Sequence, residues 1–208
     1  MRVEAVVFDL GGVLIDWDPR YLYRRLLDGD AAVEQFLDEV GFAAWNHDVD
    51  AGQRTWAEAV AALAAAHPHH RHLIEAYPAR FEQTLGGEIA ASVAVLRELH
   101  AAGVRLVALT NWSAETFPVA RSRFDFLDLF DGIVVSGEER VAKPDPAIFR
   151  ILVERHALEP AATVFVDDKR DHIEAAEAAA LRGVHFTDPA ALRDDLSRLG
   201  LLGGAGPG

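Results

Sequence analysis

Three carboxylates, one lysine and a hydroxyl–amide pair stand at the ends of separate apolar runs in this 208-residue sequence. Asp9 follows the run at 3–8, Thr110-Asn111 follows 105–109, Lys143 lies on the loop after 132–135, and Asp167-Asp168 follow 163–166. Brought to one place, oxygen donors without imidazole or thiolate suit a hard cation such as Mg²⁺, which takes few protein carboxylates and fills its shell with water and substrate oxygens. A carboxylate is a usable nucleophile toward an anionic ester only when a cation screens its charge. The chain has no cysteine, which excludes a thiolate nucleophile, a thiolate metal site and a disulfide frame.

Those residues need elements to hold them. The four runs, with a weaker fifth at 184–186, are short, rich in β-branched residues and continuously apolar, the pattern of parallel strands buried on both faces. Helical patterns lie between them. The stretch 88–102 carries Ile89, Val93 and Leu96 on one face, with Gly103 after it. Asp145-Pro146 reads as a cap and first helical residue. The stretch 171–182 is expected to be helical and closed by Gly183. Strand–helix alternation of this kind makes an α/β fold with a doubly wound, mostly parallel sheet, and such sheets bind ligands beyond the carboxyl ends of their strands.

From about Trp17 to Leu85 the alternation stops and no convincing strand is expected. Asp18-Pro19 and Asp30 can each start a helix, and Thr55-x-x-Glu58 is a capping box before an alanine-rich run. The expected organisation is a core from 1–16 and 86–200, an all-helical cap at 17–85 and a flexible, glycine-rich tail at 201–208. Trp45 and Asn46, near Asp48 and Gly52, are candidates for the substrate side of the cap. His67, His69, His70 and His72 cluster in the cap, but Pro68 interrupts them and a solvated loop or helix start is the expected reading.

The segments Phe8-Asp9-Leu10-Gly11-Gly12-Val13-Leu14, Leu109-Thr110-Asn111, Lys143-Pro144 and Phe165-Val166-Asp167-Asp168 resemble the four ordered motifs of the haloacid dehalogenase superfamily, with the helical insert placed like that family's cap. The resemblance implies an Mg²⁺-dependent phosphatase. Asp9 would attack phosphorus and form an aspartyl-phosphate. Asp9, the Gly11 carbonyl, Asp167 and Asp168 would ligate the metal. Thr110, through its hydroxyl, Asn111, through its backbone N–H, and Lys143 would bind the phosphoryl oxygens, with Lys143 also orienting the nucleophile. A small phosphorylated metabolite would be the substrate, a sugar phosphate by family analogy.

One position departs from that pattern. Most phosphatases of the family carry a second aspartate as general acid and base where this chain has Gly11. General acid–base catalysis is worth roughly 10²–10⁴-fold, so a slower enzyme, a good leaving group or an acid borrowed from elsewhere is expected; Asp16 is one stand-in. The alternatives are a metal-independent 2-haloacid dehalogenase, which needs no leaving-group proton but is ill served by the Asp167-Asp168 pair, and a non-catalytic phosphate-binding module.

Composition fits a small-molecule enzyme. Half the residues are hydrophobic, enough for a core, and the net charge of −13 argues against nucleic acid or an anionic membrane as partner. The opening apolar run is too short for a signal segment and no stretch is long enough to span a bilayer, so a cytoplasmic monomer or homodimer is expected.

Overall fold

The computed structural model describes residues 2–203. Five parallel strands form the central sheet: β1 (Ala5–Phe8), β4 (Arg105–Thr110), β5 (Gly132–Val135), β6 (Thr163–Asp167) and β7 (Arg182–His185). Their order is β5-β4-β1-β6-β7. β1 is central, with Phe8 level with Ala108 on one side and Val166 on the other. Every residue of β1 and β6 is buried. Alternate side chains enter separate cores: Val6, Phe8, Ala108 and Val166 pack on one face, and Val7, Val107, Leu109 and Phe165 on the other. This is the period of two expected of a sheet covered on both sides.

The covering helices are α6 (Ala90–Ala101), α9 (Pro146–Arg155), α10 (Arg170–Ala178) and α11 (Pro189–Arg198), with short α7 (Phe117–Arg123) and α8 (Ser136–Glu139) beyond β4 and β5. The Asp145 carboxylate accepts the Ala147 N–H at 2.8 Å, as its cap reading requires. Two expected boundaries differ. Gly183 lies in β7, not at a helix end; a Cβ there would sit 2.6 Å from Ile173 Cγ2, so this glycine lets α10 approach its neighbouring strand. The helix stops earlier, with Ala180 in the left-handed region at φ 65°. Glu88 is likewise in a strand, because it pairs with Ile15.

Five helices fill the insert: α1 (Arg20–Tyr23), α2 (Asp30–Glu39), α3 (Phe42–Asp50), α4 (Trp56–Ala66) and α5 (Arg71–Ala79). The Thr55–Glu58 capping box is formed. At the ends of the insert, β2 (Ile15–Trp17) and β3 (Leu85–Glu88) pair antiparallel, a two-stranded ribbon the sequence reading omits. Both strands are short, and Gly86-Gly87 hides the alternation of the second. The cap has an aromatic core in which Tyr23, Phe36, Phe42, Trp45, Trp56 and Tyr77 meet at ring separations of 4.7–6.3 Å. Leu202 is buried in the main core, so the start of the expected flexible tail is packed; residues 204–208 lie outside the described residues.

Candidate active site

Asp9 leaves β1 with its N–H still bound to Val166 O at 2.9 Å, which fixes the backbone at the strand end. Its Oδ1 accepts from Leu10 N at 2.7 Å and lies 3.0 Å from Lys143 Nζ. The chain then turns through Gly11 and Gly12, where Gly12 takes φ +77°. A Cβ at Gly12 would stand 2.8 Å from Asp168 Oδ2, so the glycine makes room for that carboxylate beside the turn.

Lys143 has no exposed surface. Its ammonium donates to Leu109 O at 3.0 Å and Asp167 Oδ2 at 2.6 Å, in addition to its contact with Asp9. Asn111 holds the loop that delivers it: Nδ2 donates to Lys143 O and Oδ1 accepts Lys143 N–H, each at 2.9 Å. Burial opposes the lysine's charge, but Asp9 and Asp167 outweigh it and raise its pKa. The same cluster perturbs its carboxylates. Burial, with help from Asp167, pushes Asp9 up to about 6 against the pull of Lys143. Burial also raises Asp167, yet Lys143 and His172 outweigh it and hold that carboxyl well below the usual range. Asp168 is raised by burial and then by Asp167.

Asp167 and Asp168 therefore stand apart. Asp167 is fully buried. Besides Lys143, it accepts Lys169 N–H at 2.9 Å and faces His172 Nδ1 at 3.0 Å from both oxygens. Ligand atoms of Asp9, Asp167 and His172 lie within 4.8 Å of one another, but the Lys143 ammonium is already bound to both carboxylates. The two expected metal ligands thus differ in setting: Asp167 anchors the lysine, and Asp168 faces the cavity.

That cavity, about 720 Å³, opens between core and cap. Asp9, Gly11, Gly12, Thr110, Asn111 and Asp168 line its floor, and Asn46 and Asp50 face it from α3. Trp45 does not line it; its Nε1 donates to Ala59 O at 3.1 Å and its ring packs within the cap, which corrects its reading as a substrate contact. Asp16 is also outside, accepting the Tyr21 hydroxyl at 2.8 Å.

Sequence reasoning missed two residues. His172 stands five positions after Asp167, one turn into α10, a spacing that could have drawn attention to it. Asp50 left no local signal. Its carboxylate accepts Ser113 N–H at 2.9 Å and Asn46 Nδ2 at 2.6 Å, and its carbonyl accepts the Ser136 hydroxyl at 2.5 Å. Trp56 N–H donates to Glu115 Oε1 at 2.8 Å beside it. The Ser113 and Glu115 bonds join the cap to the loop after β4, and the Ser136 bond joins it to α8. Burial pushes the Asp50 carboxyl up to about 8, against the pull of Ser113 and Asn46. In the histidine cluster, only His69 and His70 converge among the described residues, at 2.9 and 3.1 Å from the Glu39 carboxylate.

A carboxylate-bearing strand end, a buried lysine and a cavity under a helical cap fit an α/β hydrolase. The chain belongs to the haloacid dehalogenase-like hydrolase family, whose sequence model matches residues 3–180. It is 30% identical over 198 residues to the sesquiterpene phosphatase astK of Aspergillus oryzae, covering 94% of this chain and 96% of the relative. Identity to a phosphoglycolate phosphatase of Cereibacter sphaeroides is 32% over 201 residues, with 89% and 86% covered. A HAD family enzyme from Bacteroides thetaiotaomicron has the same fold, with a TM-score of 0.71 at 19% identity, over 90% of this chain and 95% of its own; a magnesium complex of that enzyme is also known.

Proposed function

We propose that this hydrolase is an Mg²⁺-dependent phosphatase of small phosphorylated molecules, in which Asp9 takes the phosphoryl group as an aspartyl-phosphate and water then releases it. The observation that carries the reading is the Lys143 ammonium, buried behind the cavity floor against Asp9 Oδ1. It holds the nucleophile in one orientation and places a fixed positive charge directly behind it, toward which an anionic ester is drawn. Thr110 and Asn111, on the same floor, would receive the phosphoryl oxygens. The phosphatase names of the two relatives support the reaction class.

The donor set fits Mg²⁺. Asp9, the Gly11 carbonyl and Asp168 offer hard oxygens around one turn, and the space made by Gly12 brings the Asp168 carboxylate against it. When bound there, the ion would neutralise charge on the phosphoryl oxygens. The Asp168 carboxylate at the cavity also disfavours the dehalogenase alternative, because it would repel a haloacid carboxylate.

Gly11 carries no proton, so the leaving alcohol needs another acid. Asp16 is outside the cavity, whereas Asp50 faces it from the cap, and burial pushes its carboxyl up to about 8. Asp50 is our candidate for that role. The partners are then small molecules, and a cytoplasmic monomer or homodimer suits the reaction; among the described residues no helix is long and apolar enough to cross a membrane.

The test is phosphate release from p-nitrophenyl phosphate with and without Mg²⁺, for the natural chain and Asp9→Asn. Metal-dependent release that the substitution abolishes is the expected result. Equal rates for the two proteins would remove Asp9 from the mechanism.

A further inference from the structure

We infer that the substrate is the phosphate monoester of a hydrophobic alcohol rather than of a sugar or a hydroxy acid. This rests on the phosphatase reading above and concerns the part of the cavity away from the nucleophile. Its walls are Trp17, Leu37, Phe42, Tyr77, Phe81 and Trp112, contributed by the cap, the ribbon and the loop after β4. All but Trp17 are largely buried, and the rings are locked by edge-on contacts, as between Phe81 and Trp112 at 5.8 Å. The whole cavity, polar floor included, is about 720 Å³, so these aromatic walls leave room for an apolar group beside the phosphate.

Several polar groups on these walls are already committed, while the buried Tyr77 hydroxyl has no hydrogen-bond partner. Arg20 gives its guanidinium to Glu34 at 2.5 and 2.7 Å and to Asp18 at 3.3 Å. Asn46 gives its amide to Asp50, which also takes Ser113 N–H. The hydroxyls of a sugar would lie against aromatic faces with few partners, which costs binding. A second anionic group would meet Asp38 on the cap side. Lys169, whose ammonium makes no ion pair within 4 Å among the described residues, follows Asp168 at the phosphate end. Trp112 Nε1 is buried without a hydrogen-bond partner. It can serve a single oxygen on an otherwise apolar group.

The experiment compares geranyl phosphate, butyl phosphate, glucose 6-phosphate and phosphoglycolate in two ways. One is kcat/KM in Mg²⁺. The other is calorimetric binding to Asp9→Asn with Mg²⁺, which requires no turnover. Each buried methylene is worth about fourfold, so geranyl phosphate should exceed glucose 6-phosphate and phosphoglycolate by at least about a hundredfold in both readouts. Phe42→Ser should shrink that ratio. Because Phe42 also belongs to the cap core, Ala44→Asp, at an exposed lining position, is the second variant and should shrink it too. Equal or better binding or turnover of the sugar or acid ester would overturn the inference while leaving the phosphatase intact. Preferential binding of geranyl phosphate with no phosphate released from any ester would overturn the phosphatase reading and uphold the hydrophobic ligand.

Discussion

The Lys143 ammonium lies between two carboxylates, 3.0 Å from Asp9 Oδ1 and 2.6 Å from Asp167 Oδ2, with none of the three side chains more than a tenth exposed. Removing the cation leaves buried negative charges facing one another. Lys143→Met is expected to cost about 3–5 kcal/mol of stability and to abolish phosphate release. Lys143→Arg should not restore activity, because a planar guanidinium cannot replace a compact ammonium that meets Asp9, Asp167 and Leu109 O at once. Denaturant unfolding and the phosphatase assay together check both statements.

The two adjacent aspartates should separate cleanly. Asp167→Asn disturbs the partners of Lys143 and His172 and should lower the melting temperature. Asp168→Asn removes a carboxylate that faces the cavity and should leave the melting temperature nearly unchanged while weakening Mg²⁺ binding. Thermal melting and calorimetric titration with Mg²⁺ distinguish them; equal metal affinity for Asp168→Asn and the natural chain would return Asp168 to a capping role.

Asp9 in the metal-free protein titrates near 6, above the ordinary 3.8. Below that value it is protonated and is neither a nucleophile nor a ligand. Mg²⁺ affinity should therefore fall as pH is lowered through about 6, and added Mg²⁺ should shift the acid limb of activity downward. Titrations at several pH values, repeated with Asp9→Asn, test the assignment: the part of the pH dependence centred near 6 should vanish in the variant.

Asp50 has a folded-state value of about 8 against 3.8 for a free aspartate. A raised carboxyl contributes stability that is complete below pH 3.8 and is lost as pH rises through about 8. Asp50→Asn removes this titration, so its melting temperature should gain on the natural chain as pH increases across that window. If Asp50 protonates the leaving group, the variant should also lose more kcat on butyl phosphate than on p-nitrophenyl phosphate, whose leaving group needs no acid. A uniform loss on both substrates would leave Asp50 only its bonds to Ser113 and Asn46.

Gly12→Ala places a side chain at φ +77° and 2.8 Å from Asp168 Oδ2. A left-handed residue costs about 1–2 kcal/mol, and the displaced carboxylate should weaken Mg²⁺ binding further. Gly11→Ala meets no atom within 4 Å and should be much milder.

The sequence by itself determined the sheet and the edge at which the candidate site lies. Short, β-branched and continuously apolar runs fit strands buried on both faces, and the polar residues ending them gather at one edge once those strands run parallel. Asp9, Thr110, Lys143 and Asp168 were legible for that reason, and Thr55 and Asp145 were legible because a helix cap depends on a few neighbouring residues. Tertiary structure decided the rest, because packing and long-range pairing are not written in local pattern. It sent Trp45 into the cap core and Asn46, one residue later, into the cavity. It made Asp167 the anchor of Lys143 while Asp168 stayed open, since adjacent residues at a strand end point in different directions. It also brought Asp50 to Ser113 across 63 positions, a contact that exists only because the cap closes over the sheet.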